Sequence, residues 1–368
     1  MTQNILVTGA AGYIGGSLVA DFVSRKSGPI SEATIFAAVR SEDQIQKLAA
    51  VGATPVLVDL ADEQAVRSVV LDNKINIVIH NAGIIDPNFV PNLIKALGQR
   101  RKDDGVETYF VLSSVTTAFS QEGGWPYGQI KDSDDDLFEK ERQIPGLHHA
   151  RKNNVAAIEL AEALGVTHFN MPIPLVCKYF PSAGLVLNGR GTGEGRKISV
   201  NIPAMIRTSI KDKVVHKFEK DGNPPAVHIL DLVSLYALLT EKILLREPVP
   251  SGRNGYHFVF SHRVRWSAVT RRLAEILHAR GLVEKPEVRL WPSFDAAADA
   301  LGFPRLYMEA IGTSSGDLVS VKPYRLGWQP KWDEEKFMAS LEGEVRDALE
   351  FGSVQPTLFN DLLQTSAN

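Results

Sequence analysis

The run Asn4-Ile5-Leu6-Val7-Thr8-Gly9-Ala10-Ala11-Gly12-Tyr13-Ile14-Gly15 decides the predicted fold of this chain. An apolar stretch typical of a β-strand leads into a glycine-rich turn, and helical periodicity follows from residue 14. Glycines spaced G-x-x-G-x-x-G let the backbone turn tightly and approach a pyrophosphate without an obstructing Cβ. The N–H groups and the dipole of the helix attract the phosphates. The alternative is a glycine-rich turn that binds nothing. We predict a dinucleotide site with contacts from Gly9, Gly12, Tyr13, Ile14 and Gly15.

Composition limits the class of protein. The chain has 368 residues, enough for one large α/β domain or for a main domain with a smaller lobe. Its net charge is −3, with 40 Lys and Arg against 43 Asp and Glu, so no basic field attracts nucleic acid or acidic lipid. We expect a small-molecule ligand, neutral or mildly anionic, with neither nucleic acid nor a membrane as partner.

Cysteine usage and hydropathy predict a cellular compartment. Cys177 is the single cysteine of the sequence, which excludes an internal disulfide and a cysteine-based zinc cluster. The sequence has no apolar stretch of about 18 residues, and the first predicted strand leaves no room for a signal peptide. We therefore expect a cytoplasmic protein.

Predicted strands and helices alternate along the first half of the chain, which is typical of βαβ units. The predicted strands are 5–8, 33–39, 55–58, 75–80, 108–112 and 168–171, and the predicted helices are 14–24, 42–50, 63–72, around 92–97, and 152–164. This order predicts an α/β fold, a Rossmann-like doubly wound parallel sheet with a smaller C-terminal substrate lobe. The charged run 131–136 is interpreted as a solvated loop, and no metal site is assigned.

Residues at the ends of three predicted strands extend the cofactor site. Arg40 closes the second strand, where a guanidinium suits a 2′-phosphate and favours NADP(H); the alternative is an ordinary surface arginine. Asp59 and Leu60 follow the third strand and are predicted to hold and cover the adenine. Asn81-Ala82-Gly83 follow the fourth strand, where small residues let the chain pass close to the cofactor.

With these markers and Ser113-Ser114 after the fifth strand, the chain resembles the extended or atypical branch of the short-chain dehydrogenase/reductase family. Segments such as Gly189-Arg190-Gly191-Thr192-Gly193 and Leu326-Gly327-Trp328-Gln329-Pro330 are similar to fungal members. The resemblance implies a Rossmann NADP(H)-binding domain of residues 1–178, with 225–262 returning to it, and a substrate lobe of residues 179–224 and 263–368. It also implies cofactor contacts from Ser113 and Pro172. Many members are homodimers, and the sequence leaves the oligomeric state open.

The catalytic signature departs from the family pattern. Members of the family use a tyrosine and a lysine four residues apart on one helix face, where the lysine lowers the pKa of the tyrosine. Aligning Glu159 with the usual glutamate puts Arg151 and Val155 at these positions, and a shift of two residues puts His149 and Asn153 there. Neither alignment restores the dyad.

Other residues are candidates for the missing donor. The pattern Y-x-x-x-K occurs at Tyr127, but its surroundings predict a loop. The usual catalytic hydroxyl falls on Val115, flanked by Ser114 and Thr116, whose hydroxyls could instead satisfy the local backbone. The candidate catalytic residues are therefore Ser114, Thr116, Tyr127 and Arg151.

The sequence is compatible with three functions. The first is an NADP(H)-dependent oxidoreductase that reduces a carbonyl or imine of a small, fairly apolar metabolite in secondary metabolism. The second is a non-redox isomerase or cyclase that retains NADP(H) as a structural or electrostatic element, and the third is a non-catalytic NADP(H) sensor. An aromatic pocket for such a metabolite is expected from some of the residues Phe180, Phe258, Phe260, Trp266, Trp291 and Phe294, with at least half of them in the core.

Overall fold

The computed structural model describes residues 3–83, 87–145, 149–174, 186–303, 305 and 308–352. Its strands are β1 (Asn4–Thr8), β2 (Thr34–Val39), β3 (Thr54–Leu57), β4 (Ile77–His80), β5 (Tyr109–Val115), β6 (Ile130–Lys131), β7 (Thr167–Ile173), β8 (Val186–Asn188), β9 (Val215–Lys217), β10 (Pro225–His228), β11 (His262–Arg263), β12 (Val288–Leu290) and β13 (Leu318–Val319). Its helices are α1 (Tyr13–Ser24), α2 (Glu42–Ala50), α3 (Glu63–Asp72), α4 (Phe89–Asp104), α5 (Leu137–Gln143), α6 (His149–Leu164), α7 (Asn201–Asp212), α8 (Ile229–Leu244), α9 (Trp266–Ala279), α10 (Phe294–Leu301), α11 (Met308–Thr313), α12 (Lys322–Arg325) and α13 (Glu334–Glu350).

The central sheet has the strand order β3-β2-β1-β4-β5-β7, and every pair in it is parallel. The predicted strands are therefore confirmed, with bounds that differ by up to three residues. The largest difference is at β5, which continues past Leu112 because Ser113, Ser114 and Val115 pair with the end of β7. Two consecutive serines do not predict a buried β-strand from the sequence. Only their pairing with β7 shows that they belong to the sheet.

Two apolar layers cover the sheet. One contains residues of α3, α4 and α6, and the other contains residues of α1 and α8. Helix α4 is much longer than predicted, since the buried Asn92 and Arg100 interrupt the apolar periodicity that marks a helix face. The side-chain amide of Asn92 donates to the carbonyl oxygens of Leu60 and Ala61, which satisfies the buried polar group.

The chain returns to the sheet after residue 250. The N–H groups of His257 and Val259 donate to the carbonyl oxygens of Asn170 and Pro172, so this segment extends the sheet beyond β7. Further apolar clusters lie outside the sheet and take residues from α7, α9, α10 and α13. The domain boundaries given above stay a prediction.

The run 131–136 is less solvated than predicted. Asp132 is fully buried, and its carboxylate accepts hydrogen bonds from the N–H groups of Phe258, Val321 and Lys322. The interpretation as a solvated loop is wrong for this residue, because contacts with distant segments replace its water. Within the described ranges, no helix combines the length and apolar character needed to cross a membrane.

Candidate cofactor and active site

The glycine turn between β1 and α1 is built around one carbonyl group. Gly9 has a φ of +66°, and its carbonyl oxygen accepts the N–H of Gly12 at 2.8 Å. A Cβ at residue 12 would lie 2.9 Å from this oxygen, and one at residue 15 would collide with it. Gly12 is the N-cap of α1 and no side chain in the described part of the chain caps this helix. Its first N–H groups are therefore suited to a phosphate.

Arg40 and Asp59 lie at the carboxyl ends of β2 and β3. Both are exposed, and within the described residues no carboxylate pairs with the Arg40 guanidinium. The Asp59 carboxylate accepts the N–H of Ala61 at 2.9 Å, while Leu60 is buried in the core. The structure thus places a cation and a carboxylate at the ends of two paired strands on one side of β1.

Residues that follow β4, together with Ser113 near the end of β5, lie on the other side of β1. The hydroxyl oxygen of Thr8 accepts the N–H groups of Asn81 and Ala82 at 3.1 and 3.2 Å, which holds the segment 81–83 beside the glycine turn. His80 is buried, and burial lowers its pKa to about 4, so it packs as a neutral imidazole. Ser113 donates to the side-chain oxygen of Asn81 at 2.7 Å.

A second glycine-rich segment, residues 189–195, lies against the start of α1; we call it the glycine strap. The hydroxyl of Tyr13 donates to the carbonyl of Gly189 at 2.6 Å, and the N–H of Gly189 donates to Glu344 at 2.6 Å. A Cβ on Gly195 would collide with the backbone of Ala11. The strap therefore borders the predicted phosphate site. Burial also raises the pKa of the Tyr13 hydroxyl.

Arg151 on α6 is held by the backbone. Its side chain is buried, and its Nη1 donates to the carbonyl oxygens of Ala118 and Gly123 at 2.8 and 2.7 Å. Val155, at the other position of the usual dyad, packs against the core. These two positions have structural contacts in this chain, and the side chain of His149 lies outside the described residues.

Ser114 belongs to a buried polar network with three residues that the sequence did not single out. Ser114 donates to the Oδ1 of Asn154 at 2.7 Å, and the Nδ2 of Asn154 donates to Glu141 at 2.8 Å. The hydroxyl of Tyr256 donates to the other oxygen of Glu141. Burial raises the pKa of Glu141 to about 7, against the hydrogen bonds and the nearby Arg151, which lower it.

The two remaining catalytic candidates differ in exposure. Thr116 is buried, and no residue of the described chain hydrogen-bonds its hydroxyl oxygen. Tyr127 is 37% exposed and lies in an irregular segment, as predicted, with its ring against Trp125 at 5.2 Å. Ser114, Thr116 and Arg151 are therefore buried, whereas Tyr127 is partly exposed to solvent.

An aromatic pocket lies along α7 and β9. Phe218, Trp266, Trp291 and Phe303 line it, and His216 stacks on Trp291 with ring centroids 4.2 Å apart. Its lining also includes lysine, serine and threonine side chains. The pocket suits the apolar part of a small molecule.

The aromatic residues predicted for such a pocket divide between pocket and core. Trp266 and Trp291 line it. Phe258 and Phe260 lie in the core of the central sheet, and Phe294 packs beside the pocket against Phe218. Phe180 lies outside the described residues, as does Cys177.

Some residues of the site escaped the sequence analysis. Glu141, Tyr236 and Tyr256 carry no local signal, since their partners are remote in sequence. Asn154 could have been found, because it is three residues after Arg151 on the face of α6 that also buries Ala157 and Ile158. Pro172 lies in β7, where it is paired with Ser114.

The comparisons with known proteins agree with this geometry. The profile of the NmrA-like family matches residues 1–99. The UDP-glucose 4-epimerase of Thermotoga maritima, solved with UDP-glucose, has a TM-score of 0.62 over 94% of this chain and 98% of its own, at 16% identity. The chain therefore shares the fold of this epimerase.

Two further structures of this fold illustrate its range. A monomeric L-threonine 3-dehydrogenase from a metagenome has a TM-score of 0.60 at 16% identity, covering 93% of this chain and 99% of its own. The dTDP-glucose 4,6-dehydratase of Bacillus anthracis, solved with NAD, has a TM-score of 0.59 at 12% identity, covering 98% and 100%. A search of curated protein sequences finds no significant match. At these identities the likeness establishes a shared fold and leaves the reaction to the site.

Proposed function

We propose that the chain is an NADP(H)-dependent oxidoreductase that reduces a carbonyl or imine of a small, fairly apolar metabolite. The observation that carries the proposal is the glycine turn, in which Gly9, Gly12 and Gly15 leave the backbone open to a pyrophosphate. The dinucleotide would lie across the carboxyl edge of the sheet, and the metabolite would enter the aromatic pocket.

Arg40 supports NADP(H) over NAD(H). Its exposed guanidinium lies at the end of β2, where a ribose 2′-phosphate would be held by paired N–H donors. Asp59 at the end of β3 would accept a hydrogen bond from the adenine amino group, because its carboxylate bonds only one N–H within the described chain.

Residues of the chain itself would bind the cofactor, orient the metabolite and protonate the product. When bound, the reduced nicotinamide supplies the hydride. Tyr127 is the most accessible of the proposed donors, whereas the hydroxyl of Ser114 is already donated to Asn154 and Arg151 is bound by two carbonyl groups. Tyr127 is therefore the first residue to test as the proton donor, followed by Thr116.

A non-redox isomerase or cyclase with bound NADP(H) is the second candidate. The observation in its favour is that Arg151 and Val155, at the positions of the usual dyad, are packed into the fold. A pocket without that dyad could still position and polarise a substrate around a cofactor that stays unchanged.

Turnover of a panel of small carbonyl and imine compounds tests the proposal, with NADPH, NADP⁺ or no cofactor present. Substrate is followed by mass and the nicotinamide by absorbance. NADPH loss that matches product formation supports the reductase. Product with unchanged nicotinamide refutes the reductase and supports the non-redox enzyme, and tight NADPH binding without any product supports a sensor.

A further inference from the structure

A chain of hydrogen bonds runs from the core of the sheet to Asn81. The hydroxyl oxygens of Tyr236 and Ser113 are 2.5 Å apart, and the Ser113 hydroxyl is 2.7 Å from the Oδ1 of Asn81. Tyr236 comes from α8 and is fully buried under β5. Three side chains from α8, β5 and the end of β4 are therefore linked at the carboxyl edge.

The direction of each bond in this chain follows from the donors available. Ser113 has one hydroxyl hydrogen, and it is given to Asn81. Its oxygen must therefore accept the hydrogen of Tyr236. The side-chain oxygen of Asn81 faces Ser113, so its Nδ2 points away from the chain of bonds.

The Nδ2 of Asn81 is buried, and no group in the described residues accepts its hydrogens. A buried amide donor without an acceptor destabilises a protein, so such groups are rare and call for a partner. Asn81 also lies at the glycine turn, since a Cβ on Gly9 would be 2.7 Å from its carbonyl oxygen. The donor is thus oriented and placed beside the predicted phosphate site.

The strand order assigns this position to one half of a dinucleotide. Arg40 and Asp59 follow β2 and β3 on one side of β1, whereas Asn81 and Ser113 lie at the ends of β4 and β5 on the other side. A pyrophosphate at the turn after β1 would send the adenosine over β2 and β3 and the nicotinamide ribose over β4 and β5.

We propose that the side-chain amide of Asn81 donates a hydrogen bond to an oxygen atom in the nicotinamide-ribose half of the cofactor, and that Ser113 and Tyr236 are positioning residues that orient this amide. The inference rests on the proposed function and deepens it. A ribose hydroxyl and the nicotinamide carboxamide both offer such an oxygen.

Paired ligands test this assignment by calorimetry. NADPH contains both halves of the cofactor, while 2′,5′-ADP contains the adenosine half only. Asn81→Asp keeps the acceptor for Ser113 and removes the amide donor, so NADPH binding should weaken about tenfold while 2′,5′-ADP binding changes less than about twofold. Tyr236→Phe should weaken NADPH binding about threefold with the same selectivity, since Ser113 loses its donor.

The control is Tyr109→Phe, which removes a tyrosine hydroxyl bonded to Glu107 at the opposite end of β5. It should leave both affinities unchanged. If Asn81→Asp does not fold, Ser113→Ala serves as a second variant, because it breaks the same series of hydrogen bonds. 2′-Phospho-ADP-ribose separates the two acceptors: sensitivity to Asn81→Asp indicates the ribose, and insensitivity indicates the carboxamide.

The outcomes separate the inference from the proposed function. If the wild-type protein binds NADPH and 2′,5′-ADP but Asn81→Asp and Ser113→Ala weaken both equally or neither, the inference is wrong and the proposed function stands. If the wild-type protein binds neither these ligands nor NADH and ADP, both fail. If NADH and ADP bind instead, the effect of each variant is measured on these two ligands in place of NADPH and 2′,5′-ADP.

Discussion

Glu141 should make the stability of this protein fall as the pH rises. The carboxyl group is fully buried between Asn154 and Tyr256, and burial raises its pKa from an ordinary 4.5 to about 7. The folded protein therefore holds this proton more tightly than the unfolded chain does. The stabilisation is complete below the unfolded pKa of 4.5 and is lost as the pH rises through about 7.

Linkage sets the size of the effect. With these two pKa values, the contribution of Glu141 to the free energy of unfolding decreases by about 2 to 3 kcal/mol between about pH 5 and about pH 8. Glu141→Gln has nearly the same shape and no titration. We therefore compare the difference in the free energy of unfolding, variant minus wild type, at the two pH values. This difference should be about 2 to 3 kcal/mol larger at about pH 8 than at about pH 5, whatever it is at the lower pH.

The assay is denaturant unfolding of both proteins at several pH values, followed by tryptophan fluorescence. Infrared spectra provide a direct check. The wild-type protein should show the band of the protonated Glu141 carboxyl group, which should disappear as the pH rises through about 7, and Glu141→Gln should lack this band at every pH. Glu139→Gln is the control: it removes an exposed carboxylate of α5 that pairs with Arg142. If the free energies of unfolding of Glu141→Gln and wild type differ by the same amount at about pH 5 and at about pH 8, the raised pKa of Glu141 is refuted.

Three other changes have distinct expected results. Arg40→Ala should weaken NADPH binding about tenfold or more and leave NADH binding nearly unchanged, measured by nicotinamide fluorescence, since only NADPH has the 2′-phosphate; equal losses would argue against the assigned position. Gly15→Ala places a methyl group against the carbonyl of Gly9 and should cost about 1 to 3 kcal/mol of stability together with cofactor affinity, measured by calorimetry; normal binding would contradict this geometry. Arg151→Met removes the donor to one buried and one partly buried carbonyl group and should destabilise the fold by about 2 to 5 kcal/mol in denaturant unfolding. Lost turnover at full stability would instead make Arg151 catalytic.

The amino-acid sequence alone determined the parallel sheet and the place of the glycine turn. Strand and helix periods and the spacing of Gly9, Gly12 and Gly15 are properties of short windows, so they can be recognised without knowing what packs against them. For the same reason Arg40 and Asp59 could be placed at neighbouring strand ends once the strand order was expected.

Only the tertiary structure decided what the polar side chains near the site contact. Tyr236 meets Ser113 across 123 residues of sequence, and Tyr256 meets Glu141 across 115. Arg151 was a catalytic candidate by its position, but the carbonyl groups that hold it belong to a turn that no local pattern connects to α6. Hydrogen-bond partners of buried groups depend on which distant segments pack together, because desolvation forces each group to find a partner wherever the fold places one.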